Sequence, residues 1–169
     1  MLYVIQVRVG SEEKTVKECH RLIGGTCDIY YPKRQEYYKL NGIWTQRVTV
    51  LFPGYIFVDT DDVNKLFHEL KKVPSFAYLV RFEDSIVSVS EEEVHLIQKL
   101  SGKDRVMDVS KGIMVGEIIK VTAGPLVGLE GLIVGVDRHK RKAWLETTMF
   151  GRKQTIKVGL EIVDVLKDK

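Results

Sequence analysis

Cysteine is nearly absent from this chain: Cys19 and Cys27 are the two, with no CxxC pair and no histidine pair at metal-ligand spacing. That argues against a disulfide framework or a structural metal centre and leaves reduced, partly buried thiols as the expectation. Long apolar runs are absent too; none approaches the roughly 20 residues needed to span a bilayer. The first residues, Met1-Leu2-Tyr3-Val4-Ile5-Gln6-Val7, carry no basic n-region and no small-residue cleavage site, so no signal peptide is expected and the cytoplasm is the expected compartment. His20, His68 and His95 are scattered on predicted helices without a Ser or Cys nucleophile at useful spacing. Gly124, Gly128 and Gly131 precede no helix, which excludes a P-loop or dinucleotide fingerprint. No enzyme and no cofactor are expected.

What is present is an uneven charge. Residues 1–98 hold 12 Lys+Arg against 14 Asp+Glu, whereas residues 99–169 hold 14 against 9. Within the second part, Asp137 to Lys157 has seven basic and two acidic residues, so this half is the candidate for a polyanionic partner.

The patterning divides in the same place. Tyr3 to Arg8 alternates as a strand, and Ser11 is positioned to cap a helix over Glu12 to Ile23 that Gly24-Gly25 ends. Asp28 to Tyr31 reads as a short strand. Lys33–Leu40 and Ile43–Val50 flank Asn41-Gly42, a strong hairpin signal. Leu51 to Asp59 reads as a strand bent at Pro53-Gly54. Val63, Leu66, Phe67 and Leu70 mark a helix over 62–72, and further strands fall at Phe76–Arg81 and Ile86–Val89. Ser90 and Glu93 form a capping box before a third helix. Ser101 to Lys111 is polar and aperiodic and reads as a linker. Beyond it the period becomes two, predicting strands at 116–121, 131–136, 142–149, 153–158 and 161–165. The expected fold is therefore an α+β domain over 1–100, with helices on an antiparallel sheet, a linker over 101–111, and a small all-β SH3-like barrel over 112–169.

Two segments carry a resemblance. Val121-Thr122-Ala123-Gly124-Pro125-Leu126-Val127-Gly128-Leu129-Glu130-Gly131-Leu132-Ile133-Val134 resembles the KOW motif of NusG-type transcription elongation factors. Phe52-Pro53-Gly54-Tyr55-Ile56-Phe57-Val58 resembles the polymerase-binding strand of the same family. The resemblance implies an N-terminal domain that docks on the clamp helices of RNA polymerase and a KOW domain that recruits other factors or contacts nucleic acid. It implies a monomer that acts by binding, with no membrane partner. Leu2-Tyr3 stands where the family often has a Trp-Tyr pair. The segment from Pro32 to Phe57 looks more like specialised paralogues, and the basic barrel resembles LoaP-type antiterminators, thought to read an RNA hairpin in a nascent leader transcript. RfaH-type paralogues are less similar, since Asp61-Asp62-Val63 replaces their histidine-threonine segment.

Two candidate surfaces follow. Tyr55 and Phe57, two residues apart on a strand, project to one face. With Phe52, the Pro53-Gly54 bend and Tyr3 on a neighbouring strand, they would form an aromatic dish for polymerase helices. From pattern alone these rings read as core; the resemblance reverses that for Tyr55 and Phe57, placing them on the docking face and leaving Ile56 and Val58 to fill the core. The second surface is basic: Arg138, His139, Lys140, Arg141 and Lys142 at one expected turn, and Phe150, Arg152 and Lys153 around Gly151 at the next, both expected on one face of the barrel. A run of charge is commonly a solvated turn, and here it also suits phosphates and an exposed base. Phe150-Gly151-Arg152 resembles a family segment that binds a small-subunit ribosomal protein or the Rho terminator. The two functional readings are thus an antiterminator holding leader RNA and a general elongation factor whose barrel binds a protein.

Overall fold

The computed structural model describes residues 1–25 and 27–167; the last two residues of the expected barrel segment lie outside them. In chain order the elements are β1 (Leu2–Val7), α1 (Glu12–Ile23), β2 (Asp28–Tyr30), β3 (Lys33–Leu40), β4 (Ile43–Val50) and β5 (Tyr55–Asp59). Then come α2 (Val63–Leu70), β6 (Ala77–Leu79), β7 (Arg81–Phe82), β8 (Ser85–Ile86), α3 (Glu91–Ser101), β9 (Val106–Met107) and β10 (Ser110–Val115). β11 (Ile118–Ala123), a 3₁₀ turn (Glu130–Leu132), β12 (Ile133–Asp137), β13 (Lys142–Met149) and β14 (Arg152–Leu166) complete the chain. They form two compact units: residues 1–32 with 52–95, and residues 33–51 with 96–169.

The first unit is built on an antiparallel sheet of order β2-β5-β1-β6. Alternation in β1 and β5 sorts the side chains. Tyr3, Ile5, Val7, Ile29, Ile56 and Val58 share a core with Val16 and Cys19 of α1 and Leu66 and Leu70 of α2. Helix α1 starts without the expected serine cap: the Ser11 hydroxyl donates instead to the Arg8 carbonyl at 2.7 Å. Gly24, at φ +76° and ψ −176°, takes an extended positive-φ conformation open essentially to glycine and stops it. The capping box of α3 is formed, with Ser90 N–H donating to Glu93 at 3.0 Å and Glu93 N–H donating to Ser90 Oγ at 3.3 Å. Neither cysteine is in a disulfide; burial pushes the Cys19 thiol up to about 11, helped by nearby Glu18 and Cys27.

The second unit joins the β3–β4 hairpin to the barrel strands. Asn41 and Gly42 both take positive φ, +50° and +80°, the primed turn that matches strand twist, and the register runs unbroken from Lys33↔Val50 to Leu40↔Ile43. The barrel sheet has the order β11-β10-β14-β13-β12. Two of the expected strands are one: β14 pairs antiparallel with β13 up to Gly159, then parallel with β10 from Leu160. The polar segment 101–111 is not a plain linker. It carries β9, which pairs with Lys33 and Arg34 of β3, and the start of β10, with Met107 and Ser110 buried. Its buried positions are too few and too irregularly spaced to show a period.

In the loop after β11, Gly124 sits at φ +99°, and a Cβ there would lie 2.7 Å from Ser110. The Ser110 hydroxyl in turn accepts the Leu126 N–H at 3.1 Å, so the loop is closed against β10. Gly131 has open space at its Cβ position and no positive φ. Gly124→Ala is therefore expected to destabilise the chain by about 2 kcal/mol or more, while Gly131→Ala stays within about 0.5 kcal/mol. Urea unfolding midpoints of the two variants test this pair.

Candidate functional surfaces

In the first unit the bend before β5 is tightly specified. Tyr55 N–H donates to the Phe52 carbonyl at 3.1 Å, closing the Pro53-Gly54 turn, and Val7 N–H donates to the Gly54 carbonyl at 2.8 Å. Gly54 N–H donates to Glu12 Oε1 at 2.7 Å, and Gly10 N–H to Glu12 Oε2 at 2.9 Å. Glu12 is buried, and its two oxygens satisfy backbone donors that would otherwise face the interior unpaired. Gly54 at φ +86° fits a space closed by the Val9 side chain at 3.3 Å.

Behind that bend the rings are packed. Phe57 stacks on Tyr30 with centroids 5.8 Å apart and meets Phe52 edge-to-face at 5.6 Å. Phe52 and Phe57 are both buried, and Tyr55 is half-buried. Tyr3 does not join them. It pairs with Val58 and lies in the core with Ile5 and Ile56, because the register Val4↔Phe57 puts Val4, not Tyr3, on the face of Phe57. The same register extends that face sideways: Gln6 pairs with Tyr55 on one side and with Tyr78 on the other. Tyr78 is 60% exposed and Phe76 44% exposed; their rings meet edge-to-face at 4.4 Å, and the Arg8 guanidinium lies 5.8 Å from the Phe76 ring. Phe76 and Tyr78 are the solvent-facing aromatics of this sheet that sequence reading passed over. The alternation Phe76-Ala77-Tyr78-Leu79 held the signal, with Leu79 buried and Tyr78 out.

In the second unit the two basic turns part company. Lys142 pairs with Gly159 and Met149 with Arg152, so the turns cap opposite ends of β13, about 20 Å apart at the rise of a strand. They do not form one surface, since eight strand residues separate them. At the first turn Arg138, His139 and Lys140 are exposed, and Lys140 N–H donates to Asp137 at 2.9 Å. Arg141, at φ +54°, turns back: its guanidinium lies 4.1 Å from the Trp44 ring centroid, 5.1 Å from that of Tyr37, and 3.7 Å from Glu161. Lys142 is half-buried, and burial pulls its ammonium below the ordinary lysine range despite the attraction of Glu36. At the second turn Phe150 and Gly151 take φ +55° and +72°, Phe150 is half-buried, Arg152 is exposed, and Lys153 pairs with Glu146 at 3.1 Å.

The hairpin contributes a further charged feature. Glu36 is buried between Arg47 at 2.6 Å and Arg34 at 3.4 Å, and Arg34 also donates to the Val50 carbonyl. Burial opposes ionisation of Glu36, but the hydrogen bond from Arg47 and the charges of Arg34, Arg47 and Lys142 outweigh it and hold the carboxyl below its ordinary value.

The family described as "Transcription termination factor nusG" matches residues 2–98. The chain belongs to the NusG family. The KOW motif matches residues 115–146, so the second unit includes a KOW domain. The Helicobacter pylori transcription termination/antitermination protein NusG is 25% identical over 171 residues, covering 92% of this chain and 93% of that protein. The protein of the same description from Borreliella burgdorferi is 24% identical over 181 residues, covering 96% of each. Among solved structures, Thermotoga maritima NusG is similar in fold, with a TM-score of 0.58 at 21% identity over 94% of this chain and 92% of that one. The chain is a NusG-like transcription factor. Its KOW match takes in the first basic turn, Arg138 to Lys142, and stops short of the second.

The Glu36 cluster has a pH consequence. A carboxyl held low in the folded state contributes stability above its ordinary value of 4.5, lost as pH falls through the lower folded value. Glu36→Gln leaves buried Arg34 without its counter-charge, so the variant is expected to be less stable at neutral pH and to show a flatter loss of stability on acidification. Urea midpoints measured from neutral pH to below pH 4 check both parts.

Proposed function

We propose that this NusG-family protein binds the clamp helices of RNA polymerase through the aromatic face of its first unit. On this reading it supports processive antitermination while the KOW domain holds an RNA hairpin of the nascent leader transcript. The observation that carries the polymerase reading is the row Tyr55–Gln6–Tyr78, with Phe76 at its end, on the solvent side of a NusG N-terminal domain. Half-buried and exposed rings on a rigid sheet are what an apolar helix pair packs against, and aromatic anchors of this kind contribute about 2 kcal/mol or more each when central. Phe52 and Phe57 are buried and pack on each other, and the Phe52 carbonyl holds Tyr55 through the Pro53-Gly54 turn. Tyr3 serves the core.

For the second unit, exposed Arg138, His139 and Lys140 support the RNA reading. They lie inside the KOW match, two of the three are unambiguous cations, and phosphates reward such a turn by counterion release. Separation of the two turns favours keeping a second reading for the other end of the barrel. There Phe150-Gly151-Arg152, a primed turn carrying one half-buried ring and one exposed cation, suits a ribosomal protein or the Rho terminator, as in a general NusG-like factor. The two partners would then use different ends of β13. The protein would act in the cytoplasm as a monomer; among the described residues no helix is long and apolar enough to cross a membrane.

Two measurements test this. Tyr55→Ala with Tyr78→Ala is expected to keep cooperative unfolding yet lower polymerase capture in a pull-down by at least about tenfold; undiminished capture removes the aromatic face from the proposal. A readthrough assay with purified polymerase, on templates with and without a leader hairpin, separates the specialised from the general factor. Hairpin-dependent readthrough weakened by Arg138→Ala with Lys140→Ala is the expected result; hairpin-independent effects favour the general role.

A further inference from the structure

We infer that the β3–β4 hairpin is a stacking site for an unpaired nucleobase, joined to the phosphate-binding turn between β12 and β13. This rests on the RNA reading of Arg138 to Lys142 and adds to it the part that contacts bases. Strand alternation places Tyr37 and Lys39 of β3 on the same face as Gln46 and Trp44 of β4, with Lys39 directly opposite Trp44. Tyr37 and Trp44 meet edge-to-face, centroids 6.3 Å apart at 82°. Both are half-buried, so ring surface remains open to solvent. Arg141 reaches this pair from the barrel turn itself, and Lys39 Nζ lies 5.4 Å from the Trp44 ring. The hairpin and the basic turn thus share one side chain.

Charge selects the occupant. The hairpin strands carry Lys33, Arg34, Lys39 and Arg47 against a single carboxylate, Glu36, and that carboxylate is buried between two arginines. An approaching polyanion meets rings and cations on this face with no exposed acidic group of the hairpin. One cation over the Trp44 ring would be enough to fix the hairpin to the barrel. The further cations, Lys39 on the hairpin and Arg138 and Lys140 on the turn that carries Arg141, are exposed and suit successive phosphates. Rings flanked by cations are the composition that binds single strands, since every base has a π face while phosphates attract the cations. A continuous duplex keeps its bases stacked and offers none to Trp44. The ligand is therefore an unpaired stretch of RNA, either a linear strand or the loop of a hairpin.

The test uses the full chain carrying Trp144→Phe, in which Trp44 is the remaining indole. It is titrated with a short oligoadenylate, with an RNA hairpin bearing an unpaired loop, and with a blunt RNA duplex. Trp44 emission is expected to be quenched by one or both of the first two and not by the duplex; quenching by the hairpin alone identifies the loop, and quenching by both identifies any single strand. In binding assays Trp44→Ala is expected to weaken affinity for the quenching RNA about tenfold, whereas Trp44→Phe, which keeps a ring in the hairpin, stays within about twofold. RNA binding with unchanged emission and a Trp44→Ala variant as tight as the parent overturns the stacking site while leaving the phosphate contacts standing. Absence of binding to all three RNAs overturns the RNA reading beneath it as well.

Discussion

The Glu12 carboxylate accepts N–H groups from both Gly10 and Gly54, so the start of α1 and the turn before β5 are held through the same two oxygens. Everything on the front of the first unit follows from that constraint. With Gly54 fixed from its N–H by Glu12 and from its carbonyl by Val7, β5 begins at Tyr55 in one register against β1. A slip by one residue would exchange Tyr55 and Phe57 for Ile56 and Val58, burying polar edges and exposing the aliphatic core. A buried acid has been placed where backbone, not another side chain, neutralises its demand for hydrogen bonds. Such a carboxylate is costly to leave unpaired and correspondingly specific about what sits opposite it.

The second unit uses its charges differently. In the run from Arg138 to Lys142, the first three side chains are exposed and the last two turn toward the hairpin, where Arg141 lies over Trp44 and Lys142 lies near Glu36. One segment therefore does two jobs: it offers charge to solvent and it fixes an aromatic hairpin beside that charge. The position of Arg141 at positive φ is what allows the division, since it reverses the chain between the exposed and the engaged residues. The other turn, at the far end of β13, holds Phe150 half-buried and pairs Lys153 with Glu146.

Much of this was readable from residues close together in the chain. Asn41-Gly42 announced its hairpin, Ser90 and Glu93 their helix start, and Lys142 to Met149 its strand, because each depends on local dihedral preferences or alternation. What escaped depends on partners far away. Tyr3 alternates as plausibly toward one face as the other until Leu2 is set against Asp59, 57 residues on. Glu12 reads as an ordinary acidic first turn until Gly54 arrives 42 residues later. β10 begins Ser-Lys-Gly and shows no alternation, since its buried positions are set by the parallel pairing with β14. The two basic turns stand apart for a local reason: the eight residues of β13, Lys142 to Met149, run extended and set them at opposite ends of the strand.

Strand β14 lies between β13 and β10 and follows both in the chain. Its pairing with β13 closes a short loop, but its pairing with β10 joins residues such as Ser110 and Leu160 across most of the domain. Loop-closure entropy makes the second pairing the slower of the two. During synthesis, then, β10 and β11 emerge with one sheet edge unsatisfied and stay so until β14 clears the ribosome. Assembly of the KOW half is in this sense timed by the arrival of a single late segment, and any nascent chain stalled before it would present an open β edge to its neighbours.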